Sequence, residues 1–302
     1  MALILVFTHI KNAIRYYLFE RPRSVALMRS ARLNIMSSLE TIEYIKRTGC
    51  SVARYGDGEL ALAFKHSIGF QEANANIQAE LKEILANPPE NLLVCLPECY
   101  TEKGLTQLVP NAARGWRRCA LESIPMLQPL LHADRLFGDA LITRPYMIYK
   151  HRKDRAGLLF ESMKDIWREK DILLVEGKMS RLGVGNDLFA GAKSVRRILC
   201  PAFNAYDKVD EIERTVVENA AGSLVLLALG PTATVLAWRL ARRGVQALDV
   251  GHVDVEYVWY KLGAKEKVPI PGKYVHEANS GVTGVSDCKD ESYLASVIAI
   301  IG

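Results

Sequence analysis

Apolar positions along the chain recur in two rhythms. Over residues 34–48, 74–86, about 107–121 and about 207–221 they return every three or four positions. That spacing lays one apolar stripe along a helix. Between these stretches lie short, almost unbroken apolar runs at Cys50–Arg54, Asn91–Leu96, Ile172–Val175, Val195–Cys200, Leu224–Leu229 and Gln246–Val250. Runs of this length without alternation predict strands buried on both faces. The punctuation agrees: Gly49 stops the first helix and Asn87-Pro88-Pro89 ends the second. Gly230-Pro231-Thr232 opens a helix that closes at Arg242-Arg243-Gly244. A short strand is expected at Tyr146–Tyr149, and Gly251 to Tyr257 reads as an extended continuation of the strand before it. Strands alternating with helices predict an α/β fold, Rossmann-like, with a mostly parallel sheet covered by helices on both faces.

Charge changes this picture at one end. The net charge is +5. Residues 1–33 hold Lys11, Arg15, Arg21, Arg23, Arg29 and Arg32 against Glu20, six minus one, so the whole excess lies there. Residues 34–302 are balanced, which argues against nucleic acid as a partner. We therefore divide the chain into a basic amphipathic extension, 1–33, and one domain, 34–302. Phe7, Ile10, Ile14, Tyr17 and Leu18 stand among the basic residues of the extension. Two uses fit them: a helix lying on a membrane surface, or a helix packed on the body or on a second subunit. No apolar run approaches the roughly 20 residues needed to cross a bilayer. The six cysteines form no zinc-binding pattern, since Cys95 and Cys99 have no second pair. Reduced thiols and a cytoplasmic location, at most peripheral at the inner face of the membrane, are expected.

In open α/β sheets ligands sit beyond the carboxyl ends of the strands, so the loops that follow strands are searched for chemistry. After the first strand comes Arg54-Tyr55-Gly56-Asp57-Gly58-Glu59. If this segment is extended, Asp57 and Glu59 face one side, where they suit acid–base work or a cation, and Arg54 can face a phosphate. A charged surface turn is the plainer reading. Residues 176–187 join a strand to the next element, with Lys178, Ser180, Arg181, Gly183 and Asn186 able to meet an anion. Their glycine spacing matches neither the dinucleotide fingerprint nor the P-loop. Gly230 and Thr232 open a helix and offer donors to a phosphate or ribose, or simply cap it. Finally, His252, Asp254 and Glu256 share parity if the chain is extended there, which would give a polar face fit for a hard cation.

Together these stretches resemble one family. Ser51 to Glu59 (SVARYGDGE), Thr143 to Tyr146 (TRPY), Ile172 to Phe189 (ILLVEGKMSRLGVGNDLF), Leu227 to Thr234 (LALGPTAT) and Leu248 to Tyr257 (LDVGHVDVEY) look like the bacterial glycosyltransferases of the GT-D fold, and span about residues 35–280. Tyr55 stands where phenylalanine is expected, and Val258 where an acidic residue is common. The resemblance implies a nucleotide-sugar donor, UDP-glucose or a similar UDP-hexose, and a divalent metal, manganese or magnesium. It also implies that a D-x-E element matters. The chain has two, Asp57-x-Glu59 and Asp254-x-Glu256, and the pattern leaves open which one holds the metal.

The expected reaction moves a hexosyl group from the UDP-sugar to a glycan, glycoprotein or lipid-linked acceptor. Asp254, Glu256 and His252 are the candidate metal ligands. Asp57, Glu59 and Glu256 are candidates for taking the acceptor proton, and Arg54, Lys178, Ser180, Arg181, Gly183, Asn186, Gly230 and Thr232 for holding the donor. Two other readings remain at this level: an NAD-dependent oxidoreductase, which lacks its G-x-G-x-x-G, and a non-catalytic nucleotide-binding assembly subunit.

Overall fold

The computed structural model describes residues 15–132, 134–275, 277–278 and 285–302. Its strands are β1 (Asn34–Ile35), β2 (Ser51–Arg54), β3 (Leu92–Leu96), β4 (Leu136–Asp139), β5 (Asp171–Gly177), β6 (Ser194–Cys200), β7 (Leu224–Ala228), β8 (Ala247–Asp249) and β9 (Val297–Ile300). They form one sheet in the order β1-β4-β3-β2-β8-β7-β5-β6-β9, and every pairing in it is parallel. The chain builds outward from β2 through β3 to β4, then crosses to β5 and returns through β7 and β8 to β2. The β2/β8 seam therefore sits mid-sheet, where connections leave in opposite directions. Such a switch point opens a crevice at the carboxyl ends.

Helices cover both faces: α1 (Arg21–Ala31), α2 (Ser38–Thr48), α3 (Asp57–Phe64), α4 (Ala75–Ala86), α5 (Glu102–Gln107), α6 (Pro110–Leu127), α7 (Arg152–Trp167), α8 (Val209–Asn219), α9 (Pro231–Ala241), α10 (Val253–Leu262) and α11 (Glu291–Ser296). Alternation along β5 shows why the strands are apolar throughout. Leu173 and Val175 pack with Ala233 and Leu236 of α9, while Ile172 and Leu174 pack on the other face with Leu159, Phe160 and Met163 of α7. α2 starts as its sequence requires. The Ser37 N–H donates to Glu40 at 2.8 Å, the Glu40 N–H returns to the Ser37 hydroxyl, and Gly49 closes the helix in the left-handed region at φ 65°.

The structure departs from expectation in two places. Tyr146–Tyr149 is a turn, bridged only through Tyr149 to Leu108. Residues 57–59 and 253–256 are the first turns of α3 and α10, not extended chain. Of the amino-terminal extension, residues 1–14, including Phe7, Ile10, Lys11 and Ile14, lie outside the described residues. From Tyr16 on it is helical, and α1 lies on α6 with Met28 buried, Arg117 donating to the Ser24 hydroxyl (3.1 Å) and Arg118 paired with Glu20 (3.0 Å). The described part is thus a packed helix. Tyr17, Leu18 and Phe19 on it remain exposed. All six cysteines are free thiols, and Cys50, Cys95, Cys99 and Cys200 are buried.

Candidate active site

A cavity of about 620 Å³ opens at the carboxyl end of the sheet. It lies among the loops that follow β2, β4, β5, β6, β7 and β8, with α6 and the segment around 267–277 as its remaining walls. Its size suits a small-molecule ligand rather than a single ion.

The β2/β8 seam ends in Arg54 and Asp249. Arg54 Nη2 meets Asp249 Oδ1 at 2.6 Å, Nε donates to the Asp249 carbonyl at 2.8 Å, and Nη1 to the Ala140 carbonyl at 3.0 Å. Three of its five N–H donors are thus used by the protein. Arg54 does line the cavity. Expected as a phosphate-facing arm, it is instead a brace joining the ends of β2, β4 and β8. Gly251 makes room for it: a Cβ there would lie 2.0 Å from Nη2, and the backbone is already at φ 42°. Any side chain at 251 displaces the brace.

Asp57 and Glu59 both line the cavity, but they do not face one side as an extended segment would have them. On a helix, residues two apart are turned about 200° from each other. Asp57 is exposed at the rim. Glu59 turns inward, its Oε2 accepting the Gly56 N–H at 2.8 Å. Burial, and then the negative charge of Asp249, push the Glu59 carboxyl up to about 7, against the opposing pull of Arg54. A carboxyl balanced near neutrality and facing a cavity can take or give a proton.

The sequence reading missed a second cluster. Arg144 Nη1 donates to Glu277 Oε1 at 2.7 Å, and Lys267 Nζ lies 2.7 Å from Glu277 Oε2. His252 lines the same wall. Burial, then the nearby positive charge of Arg144, hold its imidazole neutral. Burial alone would raise Glu277, but Arg144, Lys267 and the other groups around it together outweigh burial and keep the carboxylate ionised. The cluster joins a turn after β4 to a proline- and glycine-bounded segment more than 120 residues later. Thr143 to Tyr146 is a motif in the sequence, but nothing there shows that Arg144 meets Glu277.

The expected metal set does not fit a cation. Asp254 Oδ1 accepts from the Gly183 N–H (2.8 Å) and Asn186 Nδ2 (2.7 Å), and Oδ2 from Lys273 Nζ (2.5 Å). Glu256 turns away from the cavity and accepts the Tyr146 and Met147 N–H groups at 2.9 and 3.0 Å. Both carboxylates are nearly fully buried. Because α10 begins at Val253, the parity that grouped them with His252 on an extended chain does not exist. Among the described residues no three His, Cys, Asp or Glu side chains converge as a metal would need. Asp254 anchors the 183–186 loop, and Glu256 caps the turn at 146–147 through Oε2.

The candidate donor residues divide. Ser180 and Gly230 line the cavity; Lys178, Arg181, Gly183, Asn186 and Thr232 do not. Arg181 is buried, its guanidinium donating to the Gly272 carbonyl at 2.7 Å and to the Ser286 carbonyl, so it ties these two residues to the body. Lys178 is exposed, Gly183 and Asn186 serve Asp254, and Thr232 is buried with its hydroxyl 3.3 Å from Gln71 Oε1. Gly230 stands at φ 54°, and a Cβ there would strike the Phe70 ring at 2.4 Å.

Comparison with known proteins agrees with this architecture. A family model described as glycosyltransferase GT-D fold matches residues 52–278. A glycosyltransferase, GlyD, of Streptococcus pneumoniae serotype 4 is 37% identical over 263 residues, covering 87% of this chain. A protein of Streptococcus gordonii named "Probable glycosyl transferase Gly" is 36% identical over 269 residues, 89% of this chain. The chain spans only 32% and 39% of the lengths of these two relatives. Among solved structures, a domain of unknown function 1792, described as having a distinct glycosyltransferase fold, superposes with a TM-score of 0.86 at 38% identity, covering 91% of this chain and 98% of that one. A glycosyltransferase from Streptococcus sanguinis gives a TM-score of 0.82 at 36% identity over 90% of this chain and all of that one.

Proposed function

The chain belongs to the glycosyltransferases of the GT-D fold, and from that premise we propose that its cavity takes a UDP-hexose and transfers the hexosyl group to a hydroxyl of a glycan, glycoprotein or lipid-linked acceptor. The observation that carries this reading is the position of the cavity. It lies at the carboxyl ends of the strands, with Gly177, Gly230 and Gly251 in its walls beside Arg144 and Lys267. Backbone at glycines can approach a diphosphate closely, and the amino terminus of α9, which opens at Gly230, favours negative charge. Glu59 accepts the acceptor's hydroxyl proton. The freed oxygen bonds to the anomeric carbon, and the bond from that carbon to the diphosphate oxygen breaks. The electron pair leaves with UDP, whose growing charge meets Arg144, Lys267 and the α9 terminus.

The divalent cation, manganese or magnesium, is proposed to enter with the diphosphate instead of waiting in a protein cage. Hard cations of this kind keep several waters and take few protein carboxylates beside substrate phosphates. Calorimetry tests both proposals. UDP is expected to bind the full chain, more tightly with manganese than with chelator, while manganese chloride alone gives no saturable heat. Absence of UDP binding under either condition would remove the donor. Equal UDP affinity with and without manganese would remove the cation, and tight manganese binding without UDP would reinstate a protein cage. UDP binding without hydrolysis of any UDP-hexose would favour the assembly-subunit reading.

A peripheral membrane contact is proposed for the amino-terminal segment. Tyr17, Leu18 and Phe19 are exposed beside the exposed Arg15, Arg21 and Arg23. Each basic residue near an anionic surface contributes about 1 kcal/mol. No helix among the described residues is long and apolar enough to cross a membrane. The full chain is expected to co-sediment with phosphatidylserine vesicles at low salt and to be released at high salt. A Tyr17→Ser, Leu18→Ser, Phe19→Ser variant that co-sediments as well as the unaltered chain would count against the contact.

A further inference from the structure

The cavity has two unlike ends. One is polar: Gly177, Ser180, Gly251, His252 and the Arg144 cluster. The other is built by one face of α6 together with Ile68 and Phe70. The α6 positions that line it, Ala112, Gly115, Trp116 and Cys119, are spaced three or four apart and share a face. The adjoining face, with Ala120, Ile124 and Leu127, is buried in the core. Phe70 lies against Gly230, where the two ends meet. An ion pair of 2.5 Å between Lys65 and Glu122 ties α6 to α3, the helix that carries Asp57 and Glu59.

Packing does not account for one position on this face, and it leaves a second, which also packs against the core, partly open. Gly115 stands inside an 18-residue helix, where glycine costs roughly 0.5–1 kcal/mol relative to alanine. It is exposed, and a Cβ there would meet nothing within 4 Å. Close approach of a neighbour therefore does not require the glycine; what it does is leave space in the cavity. Beside it Trp116 is half-buried, fixed edge-on against Tyr100 with ring centroids 6.1 Å apart, and it lines the same space. A rigid indole flanking an open floor is a platform for a flat, partly apolar ligand. The C–H face of a pyranose has that shape, and its hydroxyls would be left to reach Asp57 and Glu59 on the neighbouring helix.

We infer that the Ala112–Gly115–Trp116 face of α6 is the acceptor subsite and holds the pyranose ring that receives the transferred sugar, stacked on Trp116. The inference rests on the glycosyl-transfer reading above, in that the polar end is left to the donor. Gly115 then sets how bulky an acceptor ring the site admits, and Trp116 sets its orientation.

The test uses the full chain and two variants, Gly115→Leu and Trp116→Ala. Methyl glycosides of glucose, galactose and N-acetylglucosamine serve as probes in the presence of UDP. Of the four tryptophans, Trp167 and Trp259 are buried and Trp238 lies outside this cavity, so the fluorescence change on sugar binding reports Trp116. At least one glycoside is expected to give a saturable change in the unaltered chain that disappears in Gly115→Leu, which keeps its indole. With UDP-hexose present, the ratio of transfer to hydrolysis is expected to fall at least tenfold in Gly115→Leu and in Trp116→Ala, and to recover in Trp116→Phe, which restores a stacking ring. No response to any glycoside in the unaltered chain, or a Gly115→Leu variant that titrates and partitions like it, overturns the assignment. A chain that releases no UDP from any UDP-hexose refutes the donor reading instead, and the glycoside titration then still decides the subsite.

Discussion

Glu59→Gln is expected to lower kcat for transfer by about 10²- to 10⁴-fold, the usual contribution of a positioned proton acceptor. The fold should survive, because Gln keeps an oxygen for the Gly56 N–H that Glu59 Oε2 accepts at 2.8 Å. The pH profile separates this from a merely structural role. Burial and Asp249 place the Glu59 carboxyl at about 7. Below that pH it is mostly protonated and cannot accept, so kcat/KM of the unaltered enzyme should rise about tenfold per pH unit up to 7 and then level. The variant should lose that limb. Stability moves the other way. Between the ordinary value of 4.5 and about 7 the folded chain keeps a proton at Glu59 that the unfolded chain has released. The unfolded state binds fewer protons there, so stability falls as pH rises through this window and levels above it. Glu59→Gln removes that loss, so at pH 8 it should be more stable than the unaltered chain, by at most about 3 kcal/mol. Urea unfolding at pH 5 and pH 8, with kcat/KM from pH 5.5 to 9, gives both readouts. A variant that keeps the acid limb would rule Glu59 out as the proton acceptor.

The second large effect is expected at the brace. Asp249 is 3% exposed and holds Arg54 through its carboxylate at 2.6 Å and its carbonyl at 2.8 Å. Thr234 Oγ1 lies 3.4 Å from the other carboxylate oxygen. Asp249→Ala leaves the guanidinium largely enclosed without its counter-charge, which should cost about 3–5 kcal/mol. Transfer should fall with it, because the brace fixes the ends of β2, β4 and β8, from which Glu59, Arg144 and His252 follow. Replacing both partners, Arg54→Met with Asp249→Leu, should recover much of the stability, since an apolar pair of similar volume often substitutes for a buried ion pair without loss. It should not recover activity, because an apolar pair makes none of the hydrogen bonds by which Arg54 ties the ends of β2, β4 and β8 together. Denaturant unfolding of the three chains, alongside UDP binding, decides the point. If Asp249→Ala binds UDP more tightly than the unaltered chain, Arg54 is a phosphate ligand held in reserve and not a brace.

The Arg54 case shows how composition can mislead about chemistry. An arginine at the end of a strand, before glycines, reads as a phosphate arm. Its nearest oxygens belong to Asp249 and Ala140, 195 and 86 residues away along the chain. In the two D-x-E elements the structure differs in orientation. Their spacing was legible, but the inference needed extended backbone, and both segments begin helices, where positions two apart diverge. Helix α7 is the opposite case. Ala156, Leu159, Phe160, Met163 and Trp167 keep the helical spacing in the sequence and all become buried, so the signal was present and passed over. β9 is a second case of this kind, since it lies in the unbroken apolar run Val297–Ile301. Strands β1 and β4 gave no comparable signal: they lie in no such run, and their neighbours in the sheet make them strands.

By itself the sequence determined the fold class, the longer strands and the loops worth searching, because the buried stripes and the glycine and proline stops are written locally along the chain. Ser180, Gly230, Asp57 and Glu59 were found that way, and each lines the cavity. Only the tertiary structure decided which polar residues face that space. Glu256 and Arg181 were taken up by partners 110 and 91 residues away, and Asp254, though it lines the cavity, by one 71 residues away, while Arg144, Glu277 and Trp116 were delivered to the cavity from segments with no motif in common. A buried charge must find its partner wherever the fold puts one, and that choice is made by packing across the sheet, not by neighbours in the chain.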